Sequence, residues 1–313
     1  MARAVSGPLT YVTRAEWAPL VRRHPDVAET LTLPARGENL RGELGTLVAE
    51  INGRIRPTAV LDWHGVPLSR RLAAAVKAPV KVTYPKYAFA RWILATFGVD
   101  TLPAENLRIP ALYARTAARW GEVIPDDGFR LAVDAAVRRK LITTLALEDG
   151  MAALAPGARH AAKRWPAGHW RALIKLLRDR GRRVLLIGSA EERPLCDEIG
   201  GDDAGAVNAA GACAVGDLPE LLAGAACLVT NDSAFAHLAP LVGVPCVDLF
   251  GPTSPRFGFA PRGSRDRVLY LGSPCSPCSK HGARPCWRAR QVCLEDIRPA
   301  AVFAAAAAAG GFA

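Results

Sequence analysis

The stretch 228–255, LVTNDSAFAHLAPLVGVPCVDLFGPTSP, constrains the fold more than any other part of the sequence. Its apolar residues 228–230 are typical of the end of a buried strand. The polar residues 231–233 are typical of a helix start, and the apolar spacing over 234–242 predicts a short helix. A second apolar run at 246–250 predicts another buried strand. Strand, helix and strand in this order form a βαβ unit, whose two strands run parallel in one sheet.

The same alternation of short apolar runs and helical spacing continues along the chain, so we predict an α/β fold. The runs that predict strands are 9–13, 29–33, 58–62, 80–83, 151–155, 183–187, 206–208, 228–230 and 246–250. Between residues 98 and 128 the sequence is irregular and contains three prolines, with one predicted helix at 113–120. We place a domain boundary near Asp149, which gives one domain over 1–149 and a second over 150–313.

The composition is that of a globular protein, with 50% hydrophobic and 22% charged residues in 313. No signal segment opens the sequence, and the longest apolar run, 300–313, is too short and too rich in Ala and Gly to span a bilayer. We therefore expect a cytoplasmic protein. The net charge of +11 favours an anionic partner, although a basic surface without a function is the alternative. The basic residues do not alternate with aromatic ones, so we expect no nucleic-acid partner.

The loops that follow the predicted strands carry the candidate binding residues. In a doubly wound sheet, ligands bind at the carboxyl edge of the strands, where 231–233 and the loop 251–253 both lie. A helix start at Ser233 offers free backbone N–H groups to a diphosphate, and His237 lies one helical turn later on the same face. The alternative interpretation is a capped helix with a histidine that has only a structural role.

Two earlier loops of the second domain add charged candidates. Lys163 follows the strand 151–155 and precedes a helix, where an ammonium can neutralise a diphosphate; a solvated lysine is the alternative. Glu191 and Glu192 follow the strand 183–187, where a carboxylate can accept hydrogen bonds from a ribose or an adenine amine. Either glutamate fits this role, and both are equally consistent with acids that favour a helix start.

Asn-Asp-Ser-x-x-x-His-Leu-Ala, then Gly-x-Pro, then Leu-Phe-Gly-Pro-Thr-x-Pro resembles the donor-site signature of glycosyltransferase family 9, the lipopolysaccharide heptosyltransferases. The resemblance runs from about residue 9 to residue 297. It implies a GT-B fold, in which two doubly wound Rossmann-like domains face a cleft. The domain over 1–149 would bind the acceptor, and the domain over 150–313 would bind a nucleotide sugar.

The resemblance also implies an activity, which is transfer of heptose from ADP-heptose to the lipopolysaccharide inner core (Kdo-lipid A or a heptosyl acceptor). The family inverts the sugar and requires no metal or other cofactor. Lys163 and Asp232 would be the catalytic residues, because Lys163 and the helix start at Asp232-Ser233 would stabilise the departing diphosphate. The implied donor-binding residues are Pro156, Gly157, Lys163, Glu191, Glu192, Asp232, Ser233, Ala234, His237, Gly251, Pro252 and Thr253. Ala234 departs from the family, which usually has Gly there, and should slightly crowd a phosphate.

In the family, the first strand is followed by a Gly-Asp loop that carries the presumed general base. Nothing in residues 1–8 resembles that segment, so we expect an incomplete N-terminal domain and a base that is absent from this chain. Asp62 or His64 could replace it. Two other functions stay open, namely a catalytically inactive nucleotide-sugar-binding protein and another sugar-nucleotide enzyme of the GT-B fold, such as an epimerase.

Basic residues of the first domain are candidates for holding an anionic glycolipid acceptor, which would bring the protein into peripheral contact with the inner face of the bacterial inner membrane. The candidate acceptor-binding residues are Asp62, His64, Arg70, Arg71 and Lys86, with Lys81 and Arg91 as further cations. The alternative for each of them is a solvated side chain without a function.

Four cysteines lie close together in the Cys-rich loop, which we define as residues 273–293. Four thiols in one loop of a cytosolic protein favour a structural zinc site over disulfides, and His281 could replace one ligand. The predicted metal ligands are Cys275, Cys278, Cys286 and Cys293. The remaining four cysteines lie in apolar contexts and are predicted to be buried thiols, at positions 196, 213, 227 and 246.

Overall fold

A computed structural model describes residues 7–33, 40–103, 109–117, 130–261 and 263–312. The chain divides into two compact units. The first unit is Met1–Tyr87 with Glu105–Phe129, and the second unit is Ala88–Ala104 with Arg130–Ala313. The domain boundary at residue 149 stays a prediction. The predicted lack of a first strand concerns residues 1–8, of which 1–6 lie outside the described residues.

The described residues form ten strands, all of them short. They are β1 (Leu9–Arg14), β2 (Val27–Leu33), β3 (Ala59–Asp62), β4 (Val80–Thr83), β5 (Ala152–Ala155), β6 (Val184–Leu186), β7 (Ala206–Asn208), β8 (Cys227–Asn231), β9 (Cys246–Phe250) and β10 (Arg267–Tyr270). Nine of them lie where the apolar runs predict strands. The edge strand β10 is not predicted, because it is half exposed and only four residues long.

Helices connect most of the strands. They are α1 (Ala18–Val21), α2 (Leu40–Glu50), α3 (Pro67–Ala75), α4 (Ala88–Phe97), α5 (Ile109–Ala117), α6 (Ala135–Leu145), α7 (Ala167–Asp179), α8 (Arg193–Gly200), α9 (Leu218–Leu222), α10 (Phe235–Leu238), α11 (Val292–Glu295) and α12 (Pro299–Gly310). The predicted helix at 113–120 overlaps α5, and its last three residues lie outside the described part of the chain.

The second unit is built on a six-stranded parallel sheet in the order β10-β9-β8-β5-β6-β7. The chain moves outward from β5 through β6 to β7, then returns to β8 and moves outward the other way. Strand order therefore reverses between β5 and β8, which is the point where doubly wound sheets bind ligands. Every residue of β5, β6, β8 and β9 is buried, since helices cover both faces of such a sheet.

One face of this sheet is covered by α7 and α12, which share a core with β8 and β9. Trp170 and Leu173 of α7 and Val302 and Ala306 of α12 are fully buried there. The alanine-rich segment near the C-terminus is thus a core helix, in which small side chains allow close approach to the sheet. In the described part of the chain, no helix combines the length and apolar character needed to cross a bilayer.

The first unit contains two parallel strand pairs among its described residues, β1 with β2 and β3 with β4. Its small core includes Leu31 of β2, Leu47 of α2 and Val76 at the end of α3. Helix α2 continues into a π-helical turn and ends at Arg56, which adopts a left-handed conformation with φ 50°. The helical segment therefore continues over residues 40–55, with a wider last turn.

Candidate functional site

The loops that follow β5 and β8 lie side by side at the switch point of the second unit's sheet. Ala155 pairs with Thr230 at the carboxyl ends of the two strands. Consequently Pro156 and Gly157, which follow β5, lie at the same edge of the sheet as Asp232 and Ser233, which follow β8. The four residues were predicted as donor-binding from separate motifs, and the topology places them together.

Asn231 ties these two loops to each other. Its side-chain amide donates to the carbonyl oxygens of Pro156 at 2.8 Å and Gly157 at 3.2 Å, and its Oδ1 accepts from the backbone N–H of Trp165 at 3.0 Å. Asn231 is fully buried. The sequence pattern assigns it to a helix start, whereas the structure makes it the last residue of β8. The sequence pattern does not predict this positioning role, because the residues that Asn231 bonds to lie far away in the sequence.

Lys163 and Asp232 form an ion pair at the edge of the sheet. The Lys163 Nζ lies 2.6 Å from Asp232 Oδ2, and each side chain is 15% exposed. The hydroxyl of Thr253 donates to the same carboxylate oxygen at 2.7 Å. Three predicted donor-site residues from three different loops therefore converge on one oxygen. The partly exposed Lys163 ammonium and the buried Thr253 hydroxyl are both hydrogen-bond donors suited to an anion.

The predicted helix over 234–242 is confirmed from residue 235 onward, but only its first part is α-helical. Helix α10 covers only Phe235–Leu238, and a 3₁₀ turn, Ala239–Val242, follows. Pro240 lacks the N–H needed to continue the α-helical hydrogen bonds. The helix dipole is correspondingly small, so positive charge at the site comes mainly from the lysine.

Ser233 and Ala234 occupy the connection between β8 and α10. The Ser233 hydroxyl lies 2.9 Å from the Thr230 hydroxyl and accepts weakly from the N–H of Phe235 at 3.3 Å. Ala234 has φ −63°, which is ordinary right-handed backbone. This conformation does not require glycine, so the departure from the family pattern at Ala234 introduces no backbone strain.

His237 lies on α10 near the ion pair and remains accessible to solvent. Its ring meets the edge of Phe259 at a centroid distance of 6.3 Å. Desolvation by the surrounding atoms lowers the pKa of the imidazole, and Lys163 lowers it further, although Asp232 acts in the opposite direction. The ring is therefore neutral at pH 7 and can both donate and accept a hydrogen bond.

Asp248 is a second carboxyl group beneath the site. It is fully buried on β9 and pairs in register with Thr230. Within the described part of the chain, neither carboxyl oxygen has a hydrogen-bond partner. Burial raises the pKa of Asp248 well above its ordinary value, and the charge of Asp232 adds to this effect. Both effects favour the uncharged form of this carboxyl group. Its position inside an apolar run gives no sequence signal of such a role.

Only one of the two candidate glutamates turns toward the loop after β5. Ser189 donates its backbone N–H to Glu192 Oε2 at 3.0 Å. A Cβ placed on Gly157 would lie 2.1 Å from Glu192 Cδ, so this glycine allows the close approach. Glu191 is exposed, and a hydrogen bond from Ser189 lowers the pKa of its carboxyl group. The structure therefore places Glu192, and not Glu191, against the candidate donor loop.

In the first unit, three of the five candidate acceptor residues lie together at the carboxyl end of β3. Asp62 Oδ1 accepts from the N–H groups of His64 at 3.0 Å and Gly65 at 2.8 Å. Lys86 lies beside Gly65, with its Cδ 3.4 Å from the position of a Cβ there. Burial, and then the charge of Lys86, lowers the pKa of His64. Asp62 thus shapes a turn that holds a neutral histidine near a lysine.

The remaining basic candidates lie elsewhere. Arg70 and Arg71 are exposed on α3, and the Lys81 ammonium donates to the carbonyl oxygen of Ala74 at 2.7 Å. Arg91 belongs to the second unit, where it is buried with its guanidinium 5.7 Å from the ring centroid of Phe259. Arg91 therefore belongs to a different compact unit from His64.

The structure does not support the predicted zinc site. The four loop cysteines line one small cavity. Among the described residues, however, no three His, Cys, Asp or Glu side chains are arranged to hold a metal ion. A zinc site needs deprotonated thiols pointing at one centre. The sequence spacing of the cysteines shows how many possible ligands the loop has, but it does not determine where their side chains point.

Outside the Cys-rich loop, the prediction of buried thiols is confirmed for three positions. Cys196, Cys227 and Cys246 are fully buried, and Cys213 is partly buried.

Gly251, the first residue after β9, is closely packed, because a Cβ there would lie 2.4 Å from Leu294 Cγ. This contact fixes the backbone that leads to Pro252 and Thr253.

The arrangement of a cation, two hydroxyls and an acid at the switch point agrees with the family that the sequence matches. The match is to glycosyltransferase family 9 (heptosyltransferase), over residues 71–286. The chain belongs to glycosyltransferase family 9. Because the matched residues extend from α3 into the Cys-rich loop, they include every donor-site candidate described above.

Individual relatives match over shorter regions. Lipopolysaccharide heptosyltransferase 1 of Pseudomonas aeruginosa is 40% identical over 129 residues, which are 40% of this chain and 35% of that protein. Lipopolysaccharide heptosyltransferase 2 of Escherichia coli K12 is 37% identical over 134 residues, which are 41% of this chain and 38% of that protein. The matches therefore span little more than a third of the length of these curated relatives.

Solved structures of family members share the fold over nearly the whole chain. The E. coli ADP-heptose lipopolysaccharide heptosyltransferase II has a TM-score of 0.72 and 25% identity, covering 99% of this chain and 91% of that chain. An E. coli heptosyltransferase with ADP-2-deoxy-2-fluoro heptose has a TM-score of 0.65 and 19% identity, covering 96% and 90%. The family 9 chain described here therefore has the α/β, GT-B fold with Rossmann-like domains, as predicted.

Proposed function

We propose that this protein transfers heptose from ADP-heptose to an inner-core acceptor of lipopolysaccharide. The observation that carries the proposal is the convergence of Lys163, Asp232 and Thr253 at the switch point of a family 9 sheet. Support for the donor comes from the E. coli structure that contains an ADP-heptose analogue. Support for the acceptor class comes from the relatives that are lipopolysaccharide heptosyltransferases.

The proposed donor site divides into a diphosphate part and a nucleoside part. The Lys163 ammonium exchanges its contact with Asp232 for a diphosphate oxygen, and the hydroxyls of Ser233 and Thr253 donate to the same group. Glu192 accepts hydrogen bonds from the nucleoside, since it lies beside the loop after β5. His237, neutral at pH 7, donates to the diphosphate or the sugar.

In the proposed reaction, the bond between the anomeric carbon of heptose and the diphosphate oxygen breaks. The acceptor hydroxyl oxygen bonds to that carbon and loses its proton to a base, and ADP leaves. Negative charge grows on the leaving diphosphate, so Lys163 stabilises the transition state more than the bound donor. We propose that Asp62, His64, Arg70, Arg71 and Lys86 of the first unit hold the anionic acceptor.

We also propose that the protein acts in the cytoplasm, in peripheral contact with the inner membrane through α4. Phe89, Trp92 and Phe97 project from this helix and are 71%, 37% and 64% exposed. Their rings contact each other, with centroid distances of 5.7 Å and 5.5 Å. Exposed aromatic clusters of this kind are typical of surfaces that insert into a lipid interface.

A transfer assay tests the function. The protein is incubated with ADP-heptose and Kdo-lipid A, and the lipid products are analysed by mass spectrometry. We expect a product heavier by one heptosyl residue, formed together with ADP and abolished when either substrate is omitted. Binding of ADP without any product would instead support the inactive nucleotide-sugar-binding protein.

A further inference from the structure

The Cys-rich loop forms several hydrogen bonds with the loops of the candidate donor site. The backbone N–H groups of Cys278 and Ser279 both donate to the carbonyl oxygen of Pro252, each at 3.0 Å. The Ser276 hydroxyl donates to the carbonyl oxygen of Gly251, and the Gln291 amide donates to that of Ala162. Pro252 and Ala162 immediately precede Thr253 and Lys163, so the loop holds the backbone next to both of these residues.

Gly282, at the centre of this loop, lies directly against the Lys163 side chain. A Cβ placed on Gly282 would lie 2.3 Å from Lys163 Cγ and 2.5 Å from Lys163 Cδ. Gly282 has φ +75°, and its N–H donates to the Ser279 hydroxyl at 2.9 Å. The glycine therefore lets the backbone approach the aliphatic part of the lysine more closely than any other residue would allow.

We propose that the Cys-rich loop positions the donor-binding lysine, with Gly282 as the residue that contacts it. A free lysine loses side-chain entropy when it is held in one conformation. Contact of the Gly282 backbone with Cγ and Cδ of Lys163 restricts the lysine to that conformation before the donor binds. Less side-chain entropy is then lost on binding. This assignment rests on the proposed role of Lys163 in donor binding, and it gives the loop a function that needs no metal.

Gly282→Ala tests the contact, with Gly272→Ala as the matched control. Both glycines have a positive φ, at +75° and +58°, so both substitutions strain the backbone. Only Gly282 meets Lys163, whereas the nearest atom to a Cβ on Gly272 is Tyr270 Cε1 at 3.9 Å. We expect Gly282→Ala to weaken ADP binding about 10-fold or more, because the lysine is displaced. We expect Gly272→Ala to leave ADP binding unchanged.

A double-mutant cycle separates positioning from a general structural effect. In a Lys163→Ala background the colliding Cγ and Cδ atoms are gone, so adding Gly282→Ala should cause no further loss of ADP affinity. An equal loss in both backgrounds would overturn the proposal, as would equal behaviour of Gly282→Ala and Gly272→Ala. If Lys163→Ala itself leaves ADP affinity unchanged, the donor-site assignment fails together with this inference.

A second variant keeps the test valid if Gly282→Ala does not fold. Ser279→Ala removes the acceptor of the Gly282 N–H without adding bulk. We expect it to weaken ADP binding by a smaller factor and to increase labelling of Lys163 by acetic anhydride, because a looser loop exposes the amine. Unchanged labelling and unchanged affinity in this variant would contradict the positioning role.

Discussion

Two aspartates, one directly after β8 and one inside β9, lie in different electrostatic surroundings. Asp232 is paired with the Lys163 ammonium and the Thr253 hydroxyl. Asp248 lies deeper, fully buried, and burial raises its pKa far above the ordinary value. An uncharged Asp248 adds no second negative charge beneath the site, which keeps the local field favourable to a diphosphate.

The raised pKa of Asp248 predicts a pH-dependent cost in stability. The unfolded carboxyl ionises at about pH 4, whereas burial raises the pKa of the folded one, so folding takes up a proton once the pH exceeds the unfolded pKa. The contribution of Asp248 to the free energy of unfolding is therefore most favourable below the pKa of the unfolded carboxyl, and it decreases as the pH rises above that value. We expect Asp248→Asn, which is uncharged at every pH, to raise Tm by roughly 2–4 °C or more at pH 8.

Thermal unfolding of this variant at several pH values checks the prediction. The Tm gain over the wild type should shrink toward zero at pH 4, where both chains carry an uncharged group. Asp202→Asn, at an exposed position, serves as the control and should show no such trend. A gain that does not change with pH would show that Asp248 is ionised in the folded protein.

Among the helices, α12 is the clearest case of a segment whose place in the core cannot be predicted from its sequence. Ala at most of its positions leaves no apolar periodicity, yet Ala306 is fully buried in the core formed with β8 and β9. Ala306→Leu should destabilise the fold by about 1–3 kcal/mol, because the core has no room for the added carbons.

Chemical denaturation compares this variant with Ala304→Leu, which adds the same group at an exposed position of the same helix. Ala304→Leu should change the free energy of unfolding by less than about 0.5 kcal/mol. If the two variants had equal effects, α12 would not pack in the core as described.

The parts of the fold that follow from sequence are those that depend on local pattern. Buried parallel strands produce continuous apolar runs, so β5, β6, β8 and β9 are predictable from their residues alone. The donor-site motifs are predictable in the same way, because the loops that carry them follow those strands directly. The order of the motifs also identifies the family.

The features that sequence does not predict depend on side-chain direction or on distant partners. Asn231 bonds to loops that lie more than sixty residues earlier in the chain. The choice between Glu191 and Glu192 depends on which side chain turns toward Gly157. The predicted zinc site is a similar case, since four suitably spaced thiols need not point at one centre.

For the whole molecule, the charge and the aromatic face of α4 together predict binding to anionic membranes. The net charge is +11, and residues 77–99 contain four basic and no acidic side chains. Vesicles containing anionic phospholipid should therefore bind the protein, and added salt should weaken the binding by screening the charges. Neutral vesicles should bind it less.

A variant with Phe89, Trp92 and Phe97 all changed to Ser should lose roughly 10-fold or more in vesicle affinity, because three buried rings no longer contribute. Trp287→Ser is the control, since Trp287 is 73% exposed on the second unit but lies outside α4. Equal losses in the two variants, measured by vesicle sedimentation, would exclude α4 as the contact surface.

The central claim is that the cluster around Lys163 binds the diphosphate of the donor, and calorimetric titration with ADP tests it most directly. Lys163→Ala should weaken ADP binding about 10- to 100-fold, since it removes a charged hydrogen bond to the ligand. His237→Ala should weaken it less, and Lys175→Ala, an exposed lysine on α7, should not change it. Unchanged ADP affinity in both Lys163→Ala and His237→Ala would contradict the site assignment.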